Sequence, residues 1–308
     1  MIGMVVIILG PTGVGKTGVS IELAKALQTE IISADSMMIY RSMDIGTAKP
    51  SIQQRTEIKH HLIDILSPSE PFSAGRFRAL AEPIIERLIQ DGKIPLIVGG
   101  TGLYIKALTY GLFNGPHADW RLREQLSRFE QKKGLYERLK YLDPVAASTV
   151  HPNDLKRIIR KLEILTKSDQ PLTELFAETL PLPYRFIKIG LIRERAELYQ
   201  RINQRVDEML AAGLIQETIE LRNLNPGAIA MQAIGYKEIG FYLDGLMSLD
   251  QAVALLKQKT RNYAKRQLTW FKKEPDVVWV DITGIFGDME IFQKIEDDGL
   301  LAGLLSIG

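Results

Sequence analysis

The 308-residue chain contains no cysteine and only four histidines, His60, His61, His117 and His151. The first absence excludes disulfides and thiolate metal centres, and the scattered histidines offer no zinc-like spacing. No apolar run approaches the roughly 18 residues that span a bilayer, and Met1-Ile2-Gly3 lacks the charged start of a secretion signal. A cytoplasmic protein is expected. Neither sign of charge dominates: 39 Lys and Arg stand against 37 Asp and Glu, a net charge of +2. Any large anionic partner must therefore be met by local clusters of charge. Repeats and low-complexity tracts are also missing. What is present is a 45% apolar fraction, enough for a substantial core. The length suits about two domains, or one large domain with an insertion.

The strongest positive feature lies near the start. The apolar run Met4 to Leu9 leads into Gly10-Pro11-Thr12-Gly13-Val14-Gly15-Lys16-Thr17, a full G-x-x-x-x-G-K-[ST] phosphate loop between a strand and a helix. Its glycines let successive backbone N–H groups curl around phosphate oxygens. Lys16 supplies a mobile positive charge, the Thr17 hydroxyl is the candidate ligand for Mg²⁺, and the helix start adds its dipole. Val19, Leu23, Ala26 and Leu27 are the expected inner face of that helix. A ligand with at least two linked phosphates is implied. Loops of this type serve nucleotide-binding proteins, but the loop alone does not require a nucleotide.

Strands and helices alternate through the first third. Strands are expected at Met4–Leu9, Glu30–Ser33, His61–Ile65 and Ile94–Val98, with a helix over Arg76–Gln90 that Pro83 should kink. This rhythm predicts an α/β fold, a phosphate-loop NTPase-like parallel sheet flanked by helices, with ligands at the carboxyl ends of its strands. From His117 to Pro183 only helical periodicity and breakers occur, including Pro144, Pro152 and Pro171. Residues 117–183 are read as an all-helical insertion domain in a core of 1–116 and 184–308. A strand resumes at Phe186–Leu191. Helices at Glu194–Ala212 and Leu214–Leu224 follow, then a long one capped by Ser248 with Gln251, a last strand at Val277–Val280, and a short helix after Gly284.

Two segments carry unusual charge. Lys156, Arg157, Arg160 and Lys161 lie opposite the apolar face Leu155, Ile158, Ile159 and Leu162. Between residues 257 and 273 there are seven basic residues, no acidic one, and the aromatic side chains Tyr263, Trp270 and Phe271. The first segment alone fits a solvated helix face equally well. The second is harder to explain that way, because purely surface helices usually mix signs. Together they point to nucleic acid.

The strand Pro95–Val98 ends in Gly99-Gly100-Thr101 without the carboxylate that a phosphate-loop motor places there. Asp35 is the acid best placed after an early strand. It is either a turn or capping residue, or a base or an indirect metal partner beside the phosphates. A transferase that holds a leaving diphosphate is favoured over a motor.

Several blocks resemble the bacterial tRNA dimethylallyltransferases (tRNA isopentenyltransferases). They are Gly10–Thr17, Asp35–Arg41, Met43–Pro50, His60–Asp64, Gly99–Tyr104, His151–Asp154 with Arg157, Gln232–Lys237 and Lys265–Trp270, in family order up to about Trp279. One departure is Met38, where many members carry Gln. The resemblance implies transfer of a dimethylallyl group from dimethylallyl diphosphate to N6 of adenosine 37, beside the tRNA anticodon, by a monomer using Mg²⁺. Asp35 is then the base for N6, and Lys16 with the loop amides stabilises the leaving diphosphate. By similarity Arg205 is a second cation on the diphosphate, and Thr101 and Arg123 touch the tRNA or its target base. Ser36, Met37 and Met38 would read the base beside Asp35. Lys156, Arg157, Arg160, Gln232, Gly235, Tyr236, Lys265, Arg266 and Gln267 complete the expected RNA contacts. The alternatives are a small-molecule or nucleoside kinase, which leaves the basic helices idle, and a phosphate-loop RNA-binding module with regulatory nucleotide binding, which leaves the catalytic grouping without a purpose.

Overall fold

The computed structural model describes residues 2–113, 115–116, 118–128, 132–168, 172–177 and 179–301. Six parallel strands form one sheet: β1 (Met4–Leu9), β2 (Ile31–Ser33), β3 (His60–His61), β4 (Leu96–Gly99), β5 (Arg185–Ile192) and β6 (Val277–Asp281). Their spatial order is β3-β2-β4-β1-β5-β6. Val6 sits opposite Leu96 on one side and Ile187 on the other, and Ile97 also pairs with Ile32. Val5 through Leu9 have no exposed surface, as a central strand covered on both faces requires. The parallel α/β architecture follows from that apolar run.

The third strand is shorter than its sequence suggests. It ends at His61 because Leu62 and Asp64 both take positive φ (62° and 57°), which turns the chain out of the sheet. Asp64 is held there by Lys49 and Arg55. The helix expected from Arg76 starts earlier, at Ala74, because the Ser73 hydroxyl accepts the Arg76 N–H and caps it. It runs as one element through Pro83, which is exposed, and buries Phe77, Ala81, Ile85 and Leu88.

The Lys16–Ala26 helix buries Val19, Ser20, Ile21, Leu23 and Ala24, whereas Ala26 faces solvent. The expected inner face shifts because this helix is covered twice, by the sheet and by the Asp288–Asp297 helix, whose Ile291 and Ile295 share its core cluster. The capping box of Ser248 and Gln251 starts the Leu249–Phe271 helix.

The chain divides into two compact units, residues 1–105 with 183–308, and residues 106–182. The second contains helices Trp120–Ser127, Lys132–Leu142, Pro144–Ser148, Leu155–Lys167 and Leu172–Ala177. Its core joins Leu135, Leu139, Ala147 and Val150 to Ile158, Ile159 and Leu162. Pro144, read as a breaker, instead opens a helix at a position that needs no N–H, with Asp143 as its cap. His117, the expected first residue of the insertion, and Pro171 lie outside the described residues. Among the described residues no helix is long and apolar enough to cross a membrane.

Candidate active site

The phosphate loop joins the carboxyl end of β1 to the Lys16–Ala26 helix. Gly10 and Gly13 are required there. Both have positive φ, and a Cβ at Gly10 would lie 2.7 Å from the Leu191 carbonyl, one at Gly13 2.9 Å from Ile202 Cγ1. Gly15 offers the helix no side-chain cap, so the N–H groups of the first turn stay open to an anion. Thr17 lies half-buried in that turn. Lys16 Nζ folds back over the loop and donates to the Gly10 and Pro11 carbonyls at 2.9 and 2.8 Å. Burial pushes its pKa down to about 7; the Asp35 charge opposes that shift and Arg205 reinforces it.

Two basic residues unremarked in the sequence fix the loop from below. Arg193, at the end of β5, donates from Nε to the Val14 carbonyl at 2.8 Å and from its other nitrogens to Ile282, Ile285 and Glu197. Arg201 donates to the Gly13 carbonyl at 3.1 Å. Their loop acceptors, the Val14 and Gly13 carbonyls, lie far away in sequence, so nothing local marks that role. Arg205, from the same Arg195–Ala211 helix, is half-buried. It reaches Thr12 Oγ1 at 3.5 Å and the Ala48 carbonyl at 3.4 Å. Burial lowers its pKa while the Asp35 charge opposes the shift.

The strand order brings the second half of the site to the first. β4 lies between β1 and β2, so Asp35 after β2 and Thr101 after β4 emerge at the same sheet edge as the loop. Asp35 Oδ1 accepts the Met37 and Met38 N–H groups at 2.8 and 3.3 Å. The carboxylate is thus a turn cap, yet among the described residues no hydrogen bond reaches Oδ2, which remains able to take a proton. Ser36 N–H donates to Thr101 Oγ1 at 3.1 Å, tying the two segments together. Met38 packs its sulfur 3.9 Å from the Ser33 hydroxyl. Tyr104 and Tyr263 border the same carboxylate. Burial and the Asp35 charge raise both phenols.

Some expected RNA contacts are internal instead. Tyr236 has no exposed surface, and its hydroxyl donates to Glu217 Oε1 at 2.6 Å. Glu217 also accepts the N–H groups of Asp44, Ile45 and Gly46, so Tyr236 supports that turn rather than meeting an RNA. Gly235 is buried with φ of 103° and caps the Tyr236–Leu243 helix. Gln267 is 6% exposed and its amide is engaged at both atoms: Oε1 accepts Thr12 N–H and Nε2 donates to the Gly100 carbonyl, both at 2.8 Å. Gln232, Lys265 and Arg266 are exposed; Gln232 accepts from Lys237, and Arg266 lies over the Tyr263 ring. The block Met43–Pro50 contributes Lys49, whose side chain is 2% exposed and pairs with Asp44 and Asp64.

Within the helical unit, Arg123 and Arg160 converge on one carboxylate. Glu163 is fully buried and accepts from both guanidinium groups, which hold its carboxyl below the ordinary range against the cost of burial. Arg160 also donates to the Pro116 carbonyl. One carboxylate faces two cations, so the cluster keeps a net positive charge while locking the Leu155–Lys167 helix to the Trp120–Ser127 helix. Lys156 and Arg157 are exposed on the former, and Asp154 pairs with Arg157.

Known proteins share this arrangement. The family model described as IPP transferase matches residues 38–274. The tRNA dimethylallyltransferase of Thermodesulfovibrio yellowstonii is 52% identical over 291 residues, 91% of this chain and 92% of its own. That of Acetivibrio thermocellus is 46% identical over 95% of this chain and 96% of its own. Among solved structures, the tRNA isopentenylpyrophosphate transferase of Bacillus halodurans superposes with a TM-score of 0.73 at 43% identity, covering 99% of this chain and 97% of that one. A eukaryotic dimethylallyltransferase acting on tRNA gives 0.80 at 30% identity over 99% of this chain and 84% of that one. With the phosphate loop, Asp35 and Thr101 gathered at one sheet edge, the chain belongs to the tRNA dimethylallyltransferase (IPP transferase) family.

Proposed function

We propose that this transferase, which prenylates tRNA, takes its dimethylallyl group from dimethylallyl diphosphate and delivers it to N6 of adenosine 37. The observation that carries this reading is the convergence of a diphosphate cradle with a carboxylate holding one free oxygen, Asp35 Oδ2. The N6 lone pair forms a bond to C1 of the prenyl group as the C1–O bond breaks, and that electron pair leaves with the diphosphate. Lys16, the open loop amides and Arg205 stabilise the departing charge. The N6 proton passes to Asp35 Oδ2, which matters because the lone pair of adenine N6 is delocalised into the ring. Thr101 stands beside Asp35 to orient the base, which an anticodon loop presents unstacked at modest cost.

Mg²⁺ fits this site in one way only. The donors are hard oxygens, the Thr17 hydroxyl with Asp35 nearby, and among the described residues no group of three acidic or histidine side chains could hold a metal alone. Thr17 would therefore hold a magnesium ion carried largely by the diphosphate, where it supplies further neutralisation of the leaving group. Exposed Lys156, Arg157, Lys265 and Arg266 are suited to phosphates of the anticodon stem, contacts that position the RNA without reading its sequence. On this reading the protein works as a monomer in the cytoplasm, where its RNA substrate is found.

Incubating an anticodon stem-loop with labelled dimethylallyl diphosphate, or with ATP labelled in its γ-phosphate, tests the donor. Label should move to adenosine 37 from the first and to nothing from the second. Phosphoryl transfer from ATP would overturn the reading.

A further inference from the structure

Resting on the prenyl-transfer reading, we propose that Gln267 is a positioning residue that registers the donor loop against the acceptor segment. Its carboxamide bridges Thr12, in the phosphate loop, and Gly100, the residue before Thr101. Both partners are far away in sequence, 255 and 167 residues respectively. The seat is close: a Cβ on Gly100 would lie 2.2 Å from Gln267 Nε2. One planar group accepts on one side and donates on the other, so neither half of the site moves without the other.

The helix that carries Gln267 makes the link wider. Tyr263 lies one turn earlier on the same face, and its phenol feels the Asp35 charge. Lys265 and Arg266, between them, are exposed. The Leu249–Phe271 helix thus presents cations outward, and inward Gln267 holds Thr12 and Gly100. RNA seated on the outer face bears on the element that sets the distance between the diphosphate and the target base. Displacements of about 1 Å in such alignment cost turnover far more than affinity.

The chemistry of the bridge supplies its own test. Gln267→Met keeps the volume and leaves the Thr12 N–H and the Gly100 carbonyl without partners. Gln267→Glu keeps an acceptor for Thr12, but the carboxylate form sets negative charge against the Gly100 carbonyl. Its protonated form both accepts and donates, as the amide does, and burial raises its pKa. Wild type and both variants are compared for melting temperature, for binding of an anticodon stem-loop and of dimethylallyl diphosphate separately, and for single-turnover transfer from pH 5.5 to 8.5. In Gln267→Met, turnover should fall roughly 10- to 100-fold with each binding constant changed less than about threefold. The turnover of Gln267→Glu relative to wild type should climb as pH falls, a rescue by protonation that general destabilisation would not produce. Should the Met variant fail to fold, this pH-dependent ratio alone carries the test. A flat ratio, or turnover within about threefold of wild type in every folded variant, overturns the proposal. If the wild type itself transfers no prenyl label, the function reading falls first.

Discussion

Raising the pH above 7 should weaken diphosphate binding through Lys16 alone. Among the described residues its ammonium has only the Gly10 and Pro11 carbonyls as hydrogen-bond acceptors, and burial brings its pKa down to about 7. A bound diphosphate places negative charge against it and restores the protonated form. The bound state therefore holds more protons than the free state at pH above 7, so affinity falls as pH rises. With a free pKa of about 7, the free side chain is only about one-tenth protonated at pH 8, and binding draws in about 0.9 proton. Affinity then drops by up to about tenfold per pH unit between pH 8 and 9. The ligand does not confuse this window, because the second ionisation of a phosphate group lies near pH 6. Calorimetry with dimethylallyl diphosphate at pH 8, in two buffers of different ionisation enthalpy, counts the protons. Lys16→Arg keeps its charge throughout and should bind without uptake. Uptake below about 0.2 proton in the wild type, or equal uptake in Lys16→Arg, would refute the argument.

Asp35→Asn retains an oxygen for the Met37 and Met38 N–H groups, so the turn should survive while turnover falls about 10²–10⁴-fold with RNA affinity little changed; single-turnover transfer beside stem-loop binding measures both, and a loss under about tenfold would remove Asp35 as base. Lys265→Ala and Arg266→Ala should each lower the log–log salt slope of tRNA binding by roughly one, read by titration from low to high salt. Arg160→Ala should instead destabilise the helical unit, because it strips one partner from the buried Glu163, and thermal unfolding should register that loss. Glu217→Ala leaves three backbone N–H groups and the Tyr236 hydroxyl without their acceptor, and should cost about 2 kcal/mol or more in denaturant unfolding.

The phosphate loop, its strand and its helix were legible from sequence because everything they need is local: an apolar run, glycines at fixed spacing, then helical periodicity. The parallel sheet followed from the same alternation, and the capping box at Ser248 marked its helix within four residues. Even Asp35 stood out, since an acid just after a short strand is a local signal. Its proximity to Lys16 and Thr101 was not local, because it depends on β4 lying between β1 and β2. The same limit applies to the polar side chains around the site. Sequence shows that Tyr236 and Gln267 are polar, and it leaves open whether each polar group meets solvent, RNA or another part of the chain. Burial decides, since a buried polar group must find a partner, and the partners here are Glu217 for Tyr236 and Thr12 with Gly100 for Gln267. The sequence by itself determined what can bind phosphate and which fold presents it. Tertiary structure alone decided which charged and polar groups face a substrate and which are spent holding the loop and its neighbours in place, because hydrogen bonds and ion pairs form between groups brought together by packing, not by sequence spacing.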